Sequence, residues 1–321
     1  MDKRQTKQFK DQKRKDKLAI KIAKKEQKDL EKREKEEFKS IFLTITDDTK
    51  QTSNMTVFSE HNFRTFPINS ISSGASMKVF KNLKKLDLSY NRLTTLPTEM
   101  EKLQSLVSLQ LHHNQFEEIP DCIFNLVTLQ NLGLDFNKVT YIKEKISKLS
   151  KLKGLSISNN QIIEIPPALC ELKTLIWLNL DHNSIVFIPK EVEELSSLQY
   201  LYLRDNQITT IPDSFCNLSK LTSAHLSNNL IKQLPNEFGK LNSLLTLSIA
   251  NNLIEFLPLT FSNLSFDFVD IRSNQIAKTP DINSLIVEDS GNPYCQITHL
   301  ENQGFTKRRS MRFFSTFKVK V

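Results

Sequence analysis

From Leu83 to Pro280 the apolar positions repeat one phrase, first written as Leu83-x-x-Leu86-x-Leu88-x-x-Asn91-x-Leu93-x-x-Leu96-Pro97. Its asparagine returns as Asn114, Asn137, Asn160, Asn183, Asn206, Asn229 and Asn252 at a step of 23 residues, and as Asn274 after 22. A fixed period in the twenties, sustained over nine copies, predicts a solenoid in which each coil buries its apolar face against the next. The alternation in Leu86-x-Leu88, Leu109-x-Leu111, Leu155-x-Ile157 and Leu201-x-Leu203 predicts one short strand per copy, and stacked copies form a parallel sheet on the concave wall. Two residues past the asparagine, Leu93, Phe116, Ile162, Ile185, Ile208, Ile231 and Ile254 turn inward and fill the coil. A buried amide is costly unless its donors and acceptors are met. Each asparagine is therefore expected to bond the turning backbone of its own coil and of a neighbour, a structural role.

The other side of each coil repeats as well. Pro97, Pro120, Pro166, Pro189, Pro212, Pro235, Pro258 and Pro280 open a short segment, which an apolar residue such as Met100, Ile123 or Phe215 then anchors inward. Proline suits the first position of a helical turn, where its missing N–H has no partner to lose. One turn of α or 3₁₀ helix per copy is predicted on the convex side, and only Lys143 interrupts the proline column. The fold class expected is an α/β solenoid, a horseshoe with a parallel concave β-sheet and short helical or 3₁₀ convex segments.

The full consensus, L-x-x-L-x-L-x-x-N-x-L-x-x-L/I-P-x-x-[I/F]-x-x-L, resembles the 23-residue class of intracellular leucine-rich repeat proteins, the group with the Ras-suppressor, Ras-binding scaffold and Scribble-like proteins. The resemblance covers roughly two thirds of the chain and is specific for fold. It implies a binding scaffold for another protein, with small GTPases, kinases and phosphatases as frequent partners of the class.

The flanks depart from the phrase, and they divide the chain into a charged arm over 1–40, an N-terminal cap with a degenerate repeat over 41–80, nine repeats over 81–280, a C-terminal cap over 281–305 and a tail over 306–321. In the first cap Phe58 and Phe63-Arg64-Thr65-Phe66-Pro67 echo the repeat, His61 stands where Asn belongs, and residues 69–77 read as an inserted loop. An atypical terminal coil is expected because it has no neighbour on its outer side. Gly291-Asn292-Pro293-Tyr294-Cys295 is similar to phrases that close many arrays of this kind.

Charge changes the picture. The formal net charge is +8, but residues 1–40 hold 16 Lys+Arg against 9 Asp+Glu and residues 306–321 hold 6 against none. Subtracting both from the totals of 44 and 36 leaves 22 against 27, so residues 41–305 carry −5. The arm has only a thin apolar stripe of Leu18, Ile22 and Leu30, which predicts a solvated helix or a disordered segment. Both basic tails suit contact with nucleic acid or an anionic membrane surface. No apolar run marks secretion or a membrane span, and Cys122, Cys170, Cys216 and Cys295 form no capping cluster. A cytoplasmic protein is expected.

The search for catalytic chemistry returns little. Six scattered glycines give no phosphate-cradling loop, and C-x-x-C, H-E-x-x-H and G-x-S-x-G are all missing. Of the histidines expected on the concave wall, His113 and His182 lie three copies apart, too far to share an ion, and His112 beside Asp135 is a pair and not a metal site. No enzyme, cofactor, metal or small-molecule substrate is expected. The phrase Gly304-Phe-Thr-Lys-Arg-Arg309-Ser310-Met311 is similar to the opening of the metal-dependent phosphatase domain that follows such repeats in some proteins, but Arg312 and Phe313 stand where an acidic ligand would follow.

What stands out on the predicted concave wall is a cluster in the fifth and sixth copies. Most copies place small or polar residues beside the strand; here the chain's only tryptophan, Trp177, shares a column with Tyr200, and Tyr202, Arg204 and Asp205 follow. Large aromatics with an arginine most often dominate binding energy at an interface. Asp181, His182 and Asp135 are expected to form a polar rim. The function expected is a protein-binding scaffold in small-GTPase or kinase/phosphatase signalling, with Trp177 and Tyr202 as anchors. Two other readings stand beside it: a nucleic-acid or membrane-surface binder driven by its tails, and a regulatory module of a phosphatase assembly.

Overall fold

In the computed structural model the described residues are 55–66 and 82–276, with scattered helical, exposed positions from Lys21 to Glu36. The expected loop over 69–77, the C-terminal cap, the tail, Pro280 and the phosphatase-like phrase lie outside the described residues.

Among the described residues ten three-residue strands form one parallel sheet in strict chain order: β1 (Met55–Val57), β2 (Lys85–Asp87), β3 (Ser108–Gln110), β4 (Asn131–Gly133), β5 (Gly154–Ser156), β6 (Trp177–Asn179), β7 (Tyr200–Tyr202), β8 (Ser223–His225), β9 (Thr246–Ser248) and β10 (Phe268–Asp270). Register follows the sequence period, so Leu155, Leu178 and Leu201 are direct neighbours on β5, β6 and β7. Each middle leucine points inward, and the two residues beside it project from the concave wall.

The convex side carries seven 3₁₀ segments and a single α-helical turn, Pro167–Cys170, among the described residues. Except for Glu237, at φ −87°, ψ 18° before Phe238, their entry residues share an extended backbone conformation, with Pro97 at φ −67°, ψ 149° and Pro189 at φ −68°, ψ 153°. Lys143 adopts it too, at φ −68°, ψ 147°, and its ammonium reaches Glu118 at 3.0 Å and Asp121 at 2.8 Å in the preceding coil. The column requires that conformation, which proline supplies at low entropic cost. Behind it the core is continuous, and Phe215, Phe238 and Phe261 stack at centroid distances of 6.4 and 6.0 Å.

The asparagine column bonds as the buried-amide argument requires. Asn183 donates to the carbonyls of Leu180 at 3.1 Å and Asp181 at 3.2 Å in its own coil and of Ile157 at 2.9 Å in the preceding one. Its oxygen accepts from the Ile162 N–H at 3.0 Å. Asn91 ties the first coil in the same way, donating to the Phe58 carbonyl and accepting from the Phe63 N–H. Phe58, Phe63 and Phe66 are buried there.

Immediately before each asparagine the backbone turns through the left-handed region. Tyr90, His113, Phe136, Asn159, His182, Asp205, Asn228, Asn251 and Ser273 all have φ between 53° and 57°. Asparagine and aspartate tolerate that conformation; tyrosine and phenylalanine are strained by it.

Candidate functional site

Trp177 opens β6 and is half-buried on the concave wall. The column neighbour on its far side is Gly154, where a Cβ would stand 3.3 Å from the indole Cε3. The bare backbone of β5 thus leaves room for the ring. On the near side Trp177 and Tyr200 are backbone partners, yet the ring that the indole meets is that of Tyr202, at 6.4 Å and 66°. Tyr202 in turn stacks on His225 at 4.8 Å and 8°. A diagonal Trp177–Tyr202–His225 therefore crosses β6, β7 and β8, and Tyr200 stands beside it, 39% exposed.

Asp181 is only 4% exposed, so it belongs beneath the surface and not to a polar rim. Its carboxylate accepts from Arg204 Nε at 3.1 Å, Nη2 at 2.9 Å and the Arg204 backbone N–H at 2.7 Å. Burial pushes the Asp181 carboxyl above its ordinary range, against the pull of the guanidinium. The fork fixes the arginine, whose side chain remains 45% exposed. Asp135 is likewise engaged, two coils away, accepting from the Ser158 N–H at 2.8 Å, the Ser158 hydroxyl at 2.6 Å and the Ser156 hydroxyl. It is separate from the aromatic diagonal. His182 and Asp205 do face each other, Nδ1 to Oδ2 at 3.4 Å, and Asp205 accepts from Asn228, whose carbonyl accepts from Asn251, both at 2.7 Å.

Burial lowers the His225 imidazole to about 4, with Arg204 adding to the effect, so near neutral pH it is an uncharged ring under Tyr202. The Tyr202 hydroxyl is raised by its own burial. Beyond Arg204 an open polar depression of about 420 Å³ runs past Ser227 and Ser248 to Arg272, which its Asp270 grips at 2.9 and 2.7 Å.

The sequence does not predict a second aromatic row, of which it singles out only His113, and that as a candidate metal ligand. Tyr90, His113 and Phe136 stack at 4.3 and 4.2 Å with interplanar angles of 12° and 8°, and Tyr90 and Phe136 are about half exposed. The signal was the column just before each asparagine, where later coils carry Asn, Asp, His or Ser. Among the described residues no three His, Cys, Asp or Glu side chains converge as metal ligands. The thiols of Cys122, Cys170 and Cys216 are buried and free, pushed up to about 11, 12 and 11 by that burial. No helix among the described residues is long and apolar enough to cross a membrane.

A family model described as leucine rich repeat matches residues 66–116, 81–139, 127–185 and 173–231. No curated protein sequence matches the chain. Among solved structures, a leucine-rich repeat protein of Leptospira interrogans is 36% identical with a TM-score of 0.52, covering 64% of this chain and 59% of its own. The chain thus spans less than two thirds of that protein. The ectodomain of the membrane receptor kinase GASSHO1/SCHENGEN3 from Arabidopsis thaliana, solved in complex with Casparian strip integrity factor 2, is 25% identical with a TM-score of 0.57, covering 68% of this chain and 29% of its own. An internalin from Listeria monocytogenes, 18% identical with a TM-score of 0.54 and coverages of 68% and 71%, shares the fold alone.

Proposed function

Because the chain belongs to the leucine-rich repeat family, whose domains generally mediate protein–protein interaction, we propose that it is a non-enzymatic scaffold that captures a protein partner on its concave wall across β6, β7 and β8. The observation that carries this reading is the diagonal Trp177–Tyr202–His225 beside an arginine held by a buried carboxylate. Tryptophan, tyrosine and arginine recur as the dominant residues of interfaces. These are already immobilised by stacking and by the Asp181 fork, so docking costs little further side-chain entropy. Tyr200, Asp205 and His182 extend the patch, and Asp181 supports it from below.

The 23-residue consensus supports the finer reading that the partner belongs to small-GTPase, kinase or phosphatase signalling in the cytoplasm. The basic tails favour a second reading, contact with nucleic acid or an anionic membrane, whose affinity would fall steeply with added salt. Trp177→Ala and Tyr202→Ala should each weaken partner capture by at least about 2 kcal/mol, with melting curves showing that both variants fold. Unchanged capture by two folded variants would remove the concave wall from the interaction.

A further inference from the structure

On the edge of the solenoid, away from the concave wall, lies a groove of about 360 Å³ between the coils that begin their convex turns at Pro166 and Pro189. Pro167 and Phe187 form its accessible floor, and Glu144, Glu164 and Glu191 stand around it with Lys190 as the one basic lining residue. Phe187 is 45% exposed, and the apolar surface continues onto Ile163 at 58% and Val186 at 42%. In the next coil the positions of Val186 and Phe187 are Thr209 and Thr210, so the apolar stretch belongs to these coils and not to the repeat itself. The carboxylates are distinctive too. Nearby Glu118, Asp121 and Glu194 each pair with a lysine, whereas Glu144, Glu164 and Glu191 have no ion-pair partner among the described residues.

We propose that this groove is the docking site for the chain's own segment 306–321, which would cover it in cis. The occupant that fits must bring apolar rings and positive charge together. Residues 306–321 carry Phe313, Phe314 and Phe317 among six Lys and Arg residues with no Asp or Glu. The arm over 1–40 is a poorer match, since its 16 basic residues are interleaved with 9 acidic ones. Reach is ample: the chain between Ile276 and Lys307 can extend about 100 Å, while the four coils back to Phe187 span about 20 Å of stacked strands. The exposed ring of Phe187 and the phenylalanines of the segment would leave water together, and the unpaired carboxylates would meet guanidinium groups.

The test uses full-length protein and a fluorescent synthetic peptide of residues 306–321. A variant with Phe313→Ser, Phe314→Ser and Phe317→Ser vacates the groove and should bind the peptide at least about tenfold more tightly than the wild-type chain, whose own tail competes. Adding Phe187→Asp or Glu164→Lys to that variant should abolish the gain. Both positions are exposed, and melting curves confirm folding. Equal peptide binding by wild type and tail variant, binding unaffected by the groove substitutions, or preferential binding of a 1–40 peptide would each overturn the proposal. Trp177 and Tyr202 take no part, so the result is independent of the concave-wall reading.

Discussion

Asn183 meets four backbone groups in two coils, and no smaller side chain can do so. Asn183→Ala leaves these groups unpaired in a dry interior, so a loss of about 1–3 kcal/mol is expected. Ser184→Ala, next to it but half-exposed, should cost roughly 0.5 kcal/mol or less, and urea melts of the two variants give the comparison. His225 sets a pH limit. Its folded pKa of about 4 lies below the ordinary 6.5, so the unfolded chain takes up the proton first as pH falls. The stability tied to neutral His225 is whole above 6.5 and is lost progressively down to about 4, on the order of 3 kcal/mol. His225→Gln should flatten that part of the stability curve in thermal melts across the same range. The asparagine column was legible because a polar residue recurs in an otherwise apolar register. The left-handed column before it was not: Tyr90, His113, Phe136, Asp205 and Ser273 share a backbone angle and no side-chain chemistry.

At the scale of elements, register is set by stacking of one coil on the next, and glycine marks where the approach is tightest. A Cβ on Gly239 would land on the backbone carbonyl of Thr260 in the following turn, while one on Gly133 would meet only the end of the Gln110 side chain. Gly239→Ala should therefore destabilise by about 1–3 kcal/mol and Gly133→Ala should be nearly neutral, as differential scanning calorimetry of the pair would show. Strand positions and convex turns could be read from the repeat because period two and the proline step recur in every coil. The partner of Trp177 could not. Column logic pairs it with Tyr200, and their backbones do pair, but the ring that the indole meets is that of Tyr202 on the diagonal, with the bare Gly154 on its other side. Side-chain direction on a sheet depends on the size of every neighbour, which a single column does not record.

Across the whole molecule, one parallel sheet in chain order makes a rigid wall whose chemistry varies coil by coil: a stacked Tyr90–His113–Phe136 row early, the Trp177–Tyr202–His225 diagonal in the middle, and the Arg204 to Arg272 depression late. The middle cluster stands out in the sequence by its rare residues, and Asp181 is expected at the rim because a carboxylate is usually solvated, whereas it is buried. Only the next coil's Arg204, brought over it by the 23-residue step, makes its burial tenable. The wall is the proposed binding surface, and amide hydrogen exchange of the full chain, alone and with its partner captured, examines it most directly. Protection on binding should centre on residues 177–182 and 200–205. Protection confined to the basic tails or the convex turns, with those two segments unchanged, would contradict the account.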